Sequence, residues 1–189
     1  MEKLFFTLIV LITSTGSFAQ LSLQAKQIES TCKAIDKDNT LQKKVYEQED
    51  FMDHPTDNGG SLTVYHKNGT VYRITEWVGL SGHVVIINYY FKTDKLVYVR
   101  NEELPYERNA VTGEITGKFL KNNRFLGKYL FRNDKLFEEI SLGHNRFEDD
   151  EHNHAEEEFT AAAKNISYCS RTSKNYFQNF NESLKPSYT

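Results

Sequence analysis

Three stretches of the chain follow one pattern: Tyr65-His66-Lys67-Asn68-Gly69-Thr70-Val71, Tyr90-Phe91-Lys92-Thr93-Asp94-Lys95-Leu96 and Leu130-Phe131-Arg132-Asn133-Asp134-Lys135-Leu136. Each runs aromatic or apolar, variable, basic, two turn formers, polar, aliphatic. A two-residue hairpin loop of type I′ needs φ > 0 at both central positions, which Asn68-Gly69 tolerates best; Thr93-Asp94 and Asn133-Asp134 are weaker versions. Such turns set Tyr65 opposite Tyr72, Tyr90 opposite Val97 and Leu130 opposite Phe137, cross-strand pairs of the stabilising kind. Hairpins in series make a meander. A further strand is expected within 41–51, where Leu41, Lys43, Val45 and Glu47 alternate, so the middle of the chain predicts about seven antiparallel strands.

Helices are expected on either side of it. Leu21, Ala25, Ile28, Cys32 and Ile35 recur at steps of three and four, one face of a helix, until the polar Lys37-Asp38-Asn39 ends it. Ala155, Phe159, Ala162, Ile166 and Cys169 recur at the same steps, and Glu156, Glu157 and Glu158 place negative charge in the first turn, where the helix dipole favours it. The fold class is therefore α+β: an antiparallel β-meander with an N-terminal and a C-terminal helix. Cys32 and Cys169, the two cysteines of the chain, fall on the apolar stripes of these helices. Packed on one sheet, two such helices bring the sulfurs within bonding reach. A Cys32–Cys169 disulfide is expected, and chain-entropy models value so long a closed loop at roughly 4–5 kcal/mol.

Alternation outward from the turns assigns side chains to faces. Val64, Val71, Tyr89, Phe91 and Tyr98 belong to one face, and Tyr65, Tyr72, Ile74, Tyr90 and Val99 to the other, so both faces are apolar. An antiparallel sheet with an open side normally alternates to polar there, so the second face needs a cover: the stretch 104–123, the tail, a second subunit or a ligand. With 11 Tyr, 13 Phe and one Trp, the chain offers Tyr65, Tyr72, Tyr90 and Trp77 as candidate binding residues, since tyrosine joins a large contact area to a polar tip. The stretch 104–123, long for a compact domain, contains Pro105, Gly113 and Gly117 and is a second candidate surface; a short strand fits within 114–120.

The first twenty residues carry an address. Glu2 and Lys3 precede the apolar run 4–12, and Ser17 and Ala19 form a small-x-small site, the pattern of a cleaved export signal spanning 1–19. An apolar core of about nine residues is too short to span roughly 30 Å of hydrocarbon. The expected product is a single domain over 20–170 with a polar tail, 171–189. Lys and Arg number 23 against 26 Asp and Glu; the net charge of −3 offers no footprint for nucleic acid or an anionic membrane. No cysteine stands at the cleavage point, and a soluble periplasmic or secreted protein is expected.

Motifs for chemistry are sparse. Asp149-Asp150-Glu151-His152-Asn153-His154 holds metal-ligand residue types, but histidines one residue apart point about 200° apart on a helix. The run reads as a solvated acidic helix entry. There is no G-x-S-x-G, Walker loop, G-x-G-x-x-G or H-E-x-x-H, and His54, His66, His83 and His144 are scattered. No catalytic residue, metal or cofactor is assigned.

At Tyr-Tyr-Phe-Lys-Thr-Asp-Lys-Leu (89–96) and Tyr-Leu-Phe-Arg-Asn-Asp-Lys-Leu (129–136), the chain resembles a group of exported bacterial hypothetical proteins in which such hairpins recur between two helices. The resemblance covers about residues 25–170 and implies the meander and its flanking helices, with no activity attached. Three functions compete. A non-enzymatic binding or envelope-associated protein would use the aromatic sheet face or the stretch 104–123. A periplasmic or secreted hydrolase would need a cleft joining His to Asp or Glu. An inhibitor of a secreted enzyme would present a protruding rigid loop.

Overall fold

The computed structural model describes residues 23–121, 124–143, 160–162 and 164–165. The segment 1–19, His144, the acidic run 149–154, Cys169 and the tail 171–189 lie outside the described residues. The chain divides into two compact units, Met1–Lys37 and Asp38–Thr189. In the first, helix α1 (23–37) buries Ala25 and Cys32 and half-buries Ile28 and Ile35, leaving Lys26, Lys33 and Asp36 in solvent. That is the stripe the three-four spacing predicts.

Helix α1 corrects one expectation. Cys32 carries a free thiol, so the expected bridge from it is not formed; Cys169 is not described. Only 4% of Cys32 is exposed. Its burial, then the nearby Asp36 and Glu29 carboxylates, push the thiol up to about 12.

In the second unit the strands are β1 (Gln42–Glu47), β2 (Gly60–Lys67), β3 (Thr70–Gly79), β4 (His83–Lys92), β5 (Lys95–Arg108), β6 (Ile115–Phe119), β7 (Phe125–Arg132) and β8 (Lys135–Leu142). The one-turn helix α2 (Gln48–Phe51) follows β1. All pairings are antiparallel, in the order β1-β2-β3-β4-β5-β7-β8, with β6 on the end of β5. The described residues thus form an eight-stranded meander. The strand beyond the expected seven is β6, from within 104–123.

All three repeats close as the turn chemistry demands. The central residues have φ of 51° and 80° at Asn68-Gly69, 50° and 59° at Thr93-Asp94, and 50° and 62° at Asn133-Asp134. Two pairs beyond each turn the register slips. His66↔Val71 is followed by Tyr65↔Arg73, Phe91↔Leu96 by Tyr90↔Tyr98, and Phe131↔Leu136 by Leu130↔Glu138. Tyr72, Val97 and Phe137 are therefore the extra residues of three equivalent β-bulges. The expected pairs Tyr65–Tyr72, Tyr90–Val97 and Leu130–Phe137 do not form. Burial supplies the reason: without the bulges Arg73 and Arg100 would turn to the core face, whereas with them Ile74 and Val99 do, both with no exposed surface. Tyr98 moves to the opposite face in exchange.

The core face gathers Leu62, Val64, Val71, Ile74, Tyr89, Phe91, Leu96, Val99, Tyr129 and Phe131 with Tyr46 and Phe51. Ala162, from the helical residues 160–162 and 164–165, joins the same cluster, so C-terminal helical structure packs on this face. Strand β1 alternates in the opposite phase to that expected. Tyr46, opposite Leu62, turns inward and Val45 outward, which buries the larger ring. Among the described residues, no helix is long and apolar enough to cross a membrane.

Candidate functional site

Because the hairpins share one bulge, the first residue of every repeat falls in a single row across the face opposite the core. The row reads Lys43, Tyr65, Arg73, Tyr90, Tyr98, Leu130, Glu138. The Arg73 guanidinium lies 3.8 Å from the Tyr65 ring centroid and Lys43 Nζ 5.4 Å from it, while the Tyr90 and Tyr98 rings are 5.5 Å apart and tilted by 36°. Such contacts hold a row rigid. Its centre is shut from solvent: Tyr90 is 3% exposed and Leu130 1%. Of the four candidate aromatics, Tyr65 and Tyr90 thus meet through Arg73. Tyr72 occupies a bulge, and Trp77 stands further along β3 between Ser61 and Ile86.

At Trp77 the surface is concave. A cavity of about 330 Å³ lies between the indole, Glu47, Gln48 and Glu49 at the start of α2, and Gly59, Gly60 and Ser61 at the start of β2. Its walls are tied. Thr56 N donates to Gln48 Oε1 at 3.2 Å, and Gly79 N and Thr56 Oγ1 each donate to Gly59 O at 2.8 Å. Glu47 and Asp50 exchange a capping box across α2, so the carboxylate of Glu47 is oriented by the backbone.

The stretch 104–121, expected as a candidate surface or a cover for the sheet with a short strand within 114–120, is an arm that carries that strand as β6. Strand β5 runs 14 residues and continues past the main sheet to pair with β6 at Tyr106↔Phe119 and Arg108↔Ile115. Residues 108–121 are exposed throughout. The arm is nonetheless braced: Tyr106 and Phe119 rings stack at 5.6 Å, and Arg108 donates to Gly113 O and to Ser81 O, both at 3.0 Å. At the tip Gly113 N donates to Asn109 O, and Asn109 Oδ1 accepts from Val111 N and Thr112 N. Val111 is 93% exposed, and Ile115, Phe119 and Leu120 are also exposed.

One constellation escaped the sequence reading. Glu76 lies on the core face, where its Oε2 accepts from Tyr89 OH at 3.0 Å and from Asn165 Nδ2 at 2.8 Å, tying the C-terminal helical residues to the sheet. Nearby on the surface, Lys164 donates to Asp53 at 3.0 Å, and that hydrogen bond holds the Asp53 carboxyl below its usual range. The bulge at Tyr72 sets the phase of β3 that turns Glu76 to the core face, and the sequence signal for it was the charged Arg73, which unbroken alternation would bury. His66 sits half-buried, its imidazole lowered by burial and then by Lys44. Among the described residues, no three His, Cys, Asp or Glu side chains gather as metal ligands would.

Comparison of the chain with protein-family models, curated proteins and solved structures gave no match.

Proposed function

We propose that the protein is an exported binding protein, without catalysis of its own, that holds a macromolecular partner or envelope component through the β5–β6 arm. The supporting observation is the combination of exposed Val111, Ile115, Phe119 and Leu120 with a backbone braced by Arg108 and Asn109. Apolar side chains presented on a fixed frame bind without a large ordering cost. The aromatic row serves less well as a contact surface, since Tyr90, Tyr98 and Leu130 are buried. Export rests on the signal-like segment 1–19 and on the resemblance to exported hairpin proteins.

A second reading, an inhibitor of a secreted enzyme, is favoured by the same bracing. The tip from Asn109 to Gly113 is a closed turn, so inhibition would come from Val111 entering a pocket as a knob and not from a substrate-like extended strand. The test is affinity capture from periplasm and culture supernatant with the chain from Gln20, beside a variant whose residues 109–113 are cut to a two-residue turn. Partner retention lost with the arm is expected; identical retention by both proteins would refute the reading. Amino-terminal sequencing of the exported protein is expected to begin at Gln20.

A further inference from the structure

The Trp77 cavity is separate from the arm and its chemistry is one-sided. The π face of an indole carries negative charge and attracts a cation more strongly than the other aromatic rings do. Glu47 and Glu49 line the same cavity, and neither forms an ion pair among the described residues. The third wall is backbone. A Cβ on Gly60 would lie 3.0 Å from Met52 Sδ and 3.3 Å from Gln48 Cβ, and a Cβ on Gly59, at φ 83°, would point at the indole with Cζ3 3.9 Å away. Gly59 therefore keeps the hollow open beside the ring, where its positive φ also makes a side chain strained, and Gly60 lets β2 pass close against Met52 and Gln48.

We propose that this cavity binds an alkylammonium group. At about 330 Å³ it lies at the small end of ligand pockets, with room for an amine and its first few carbons. A cation there meets the indole and two carboxylates whose present partners are hydrogen bonds, from the backbone of α2 to Glu47 and from Gln48 Nε2 to Glu49 Oε1 at 3.2 Å, and an anion meets like charge. Two carriers present such a group, the lysine side chain of a peptide and the amine of an amino sugar.

Trp77 is the only tryptophan of the chain, so its emission reports the site directly. The full chain is titrated with Nα-acetyl-lysine amide and with glucosamine, each beside a counterpart lacking the charge, Nα-acetyl-norleucine amide and N-acetylglucosamine. Saturable emission changes with the two amines, at dissociation constants on the order of millimolar, are expected, with none for the uncharged pair. A response to only one amine identifies the carrier. Glu49→Gln should weaken the affinity by roughly twofold to fivefold, the worth of a solvent-exposed ion pair, and Glu49→Lys should abolish it with the far-ultraviolet dichroism unchanged. Equal responses to charged and uncharged probes, no saturable response to either amine, or an affinity indifferent to both Glu49 substitutions would each overturn the proposal.

Discussion

Thr93 and Asn68 hold the same place in two equivalent hairpins, at φ of 50° and 51°, and the pair isolates what a left-handed backbone costs a β-branched side chain. The left-handed region costs an ordinary L-residue roughly 1–2 kcal/mol, and a branched Cβ makes the residue an outlier there, while Asn visits it readily. Thr93 is exposed and makes no hydrogen bond among the described residues, so replacing it removes the strain and nothing else. Thr93→Asn is therefore expected to stabilise the protein by about 1 kcal/mol, raising the unfolding midpoint by roughly 2–4 °C for a chain of this size. Urea unfolding with an unchanged m-value is the cleaner assay, because it separates stability from a change in the unfolded ensemble. The reciprocal change, Asn68→Thr, should cost a similar amount, and Asn133→Thr, at φ 50°, should match it. A Thr93→Asn variant no more stable than the parent, beside an Asn68→Thr variant that loses stability, would mean that the second hairpin closes by a different turn.

Tyr89→Phe removes one of the two donors that the described residues offer the half-buried Glu76 carboxylate and should cost about 1–3 kcal/mol, read by chemical unfolding; a neutral outcome would refute the Glu76–Tyr89 contact. Arg108→Ala removes the two Arg108 hydrogen bonds that brace the arm, so limited proteolysis within 109–113 should quicken while global stability moves by less than about 1 kcal/mol; unchanged cleavage would show that the tip holds its shape without them. Cys32 should resist Ellman's reagent at pH 8 until the protein unfolds, and a chain with no reactive thiol even in urea would restore a disulfide to that position. The same thiol sets a pH dependence: titrating near 9.0 when unfolded and about 12 when folded, it contributes stability that is complete below pH 9 and lost as pH rises toward 12. Cys32→Ser should flatten that alkaline decline.

What could be read from the residues in order was local. The turns at 68–69, 93–94 and 133–134, the α1 stripe and the strand within 114–120 each depend on neighbours in the chain, and each appears where its residues place it. Register belongs to two strands at once. An extra residue at Tyr72, Val97 or Phe137 leaves no mark on alternation within its own strand, yet it moves every later side chain to the other face, and so Ile74, Val99 and Glu76 were hidden. A clue was present: unbroken alternation would have sent the charged Arg73 and Arg100 into the core, which costs more than turning Ile74 and Val99 there. Trp77 stood out as a single residue, but Glu47, Glu49 and Gly59 reach it only through pairing of β1, β2 and β3.

The same distinction separates scaffold from candidate function. Whatever the repeat dictates at its first position is consumed by the fold: Tyr90 and Leu130 are buried and Tyr65 is stacked under Arg73, because equivalent bulges bring them into one row. Repetition here explains architecture, and an aromatic that recurs for that reason is weak evidence of recognition. The exposed chemistry lies where the hairpin rhythm is interrupted, in the α2 turn with the loop after it and in the arm between β5 and β7. Those two insertions are free of the register that binds the repeats, and they carry the surfaces that the fold itself does not require.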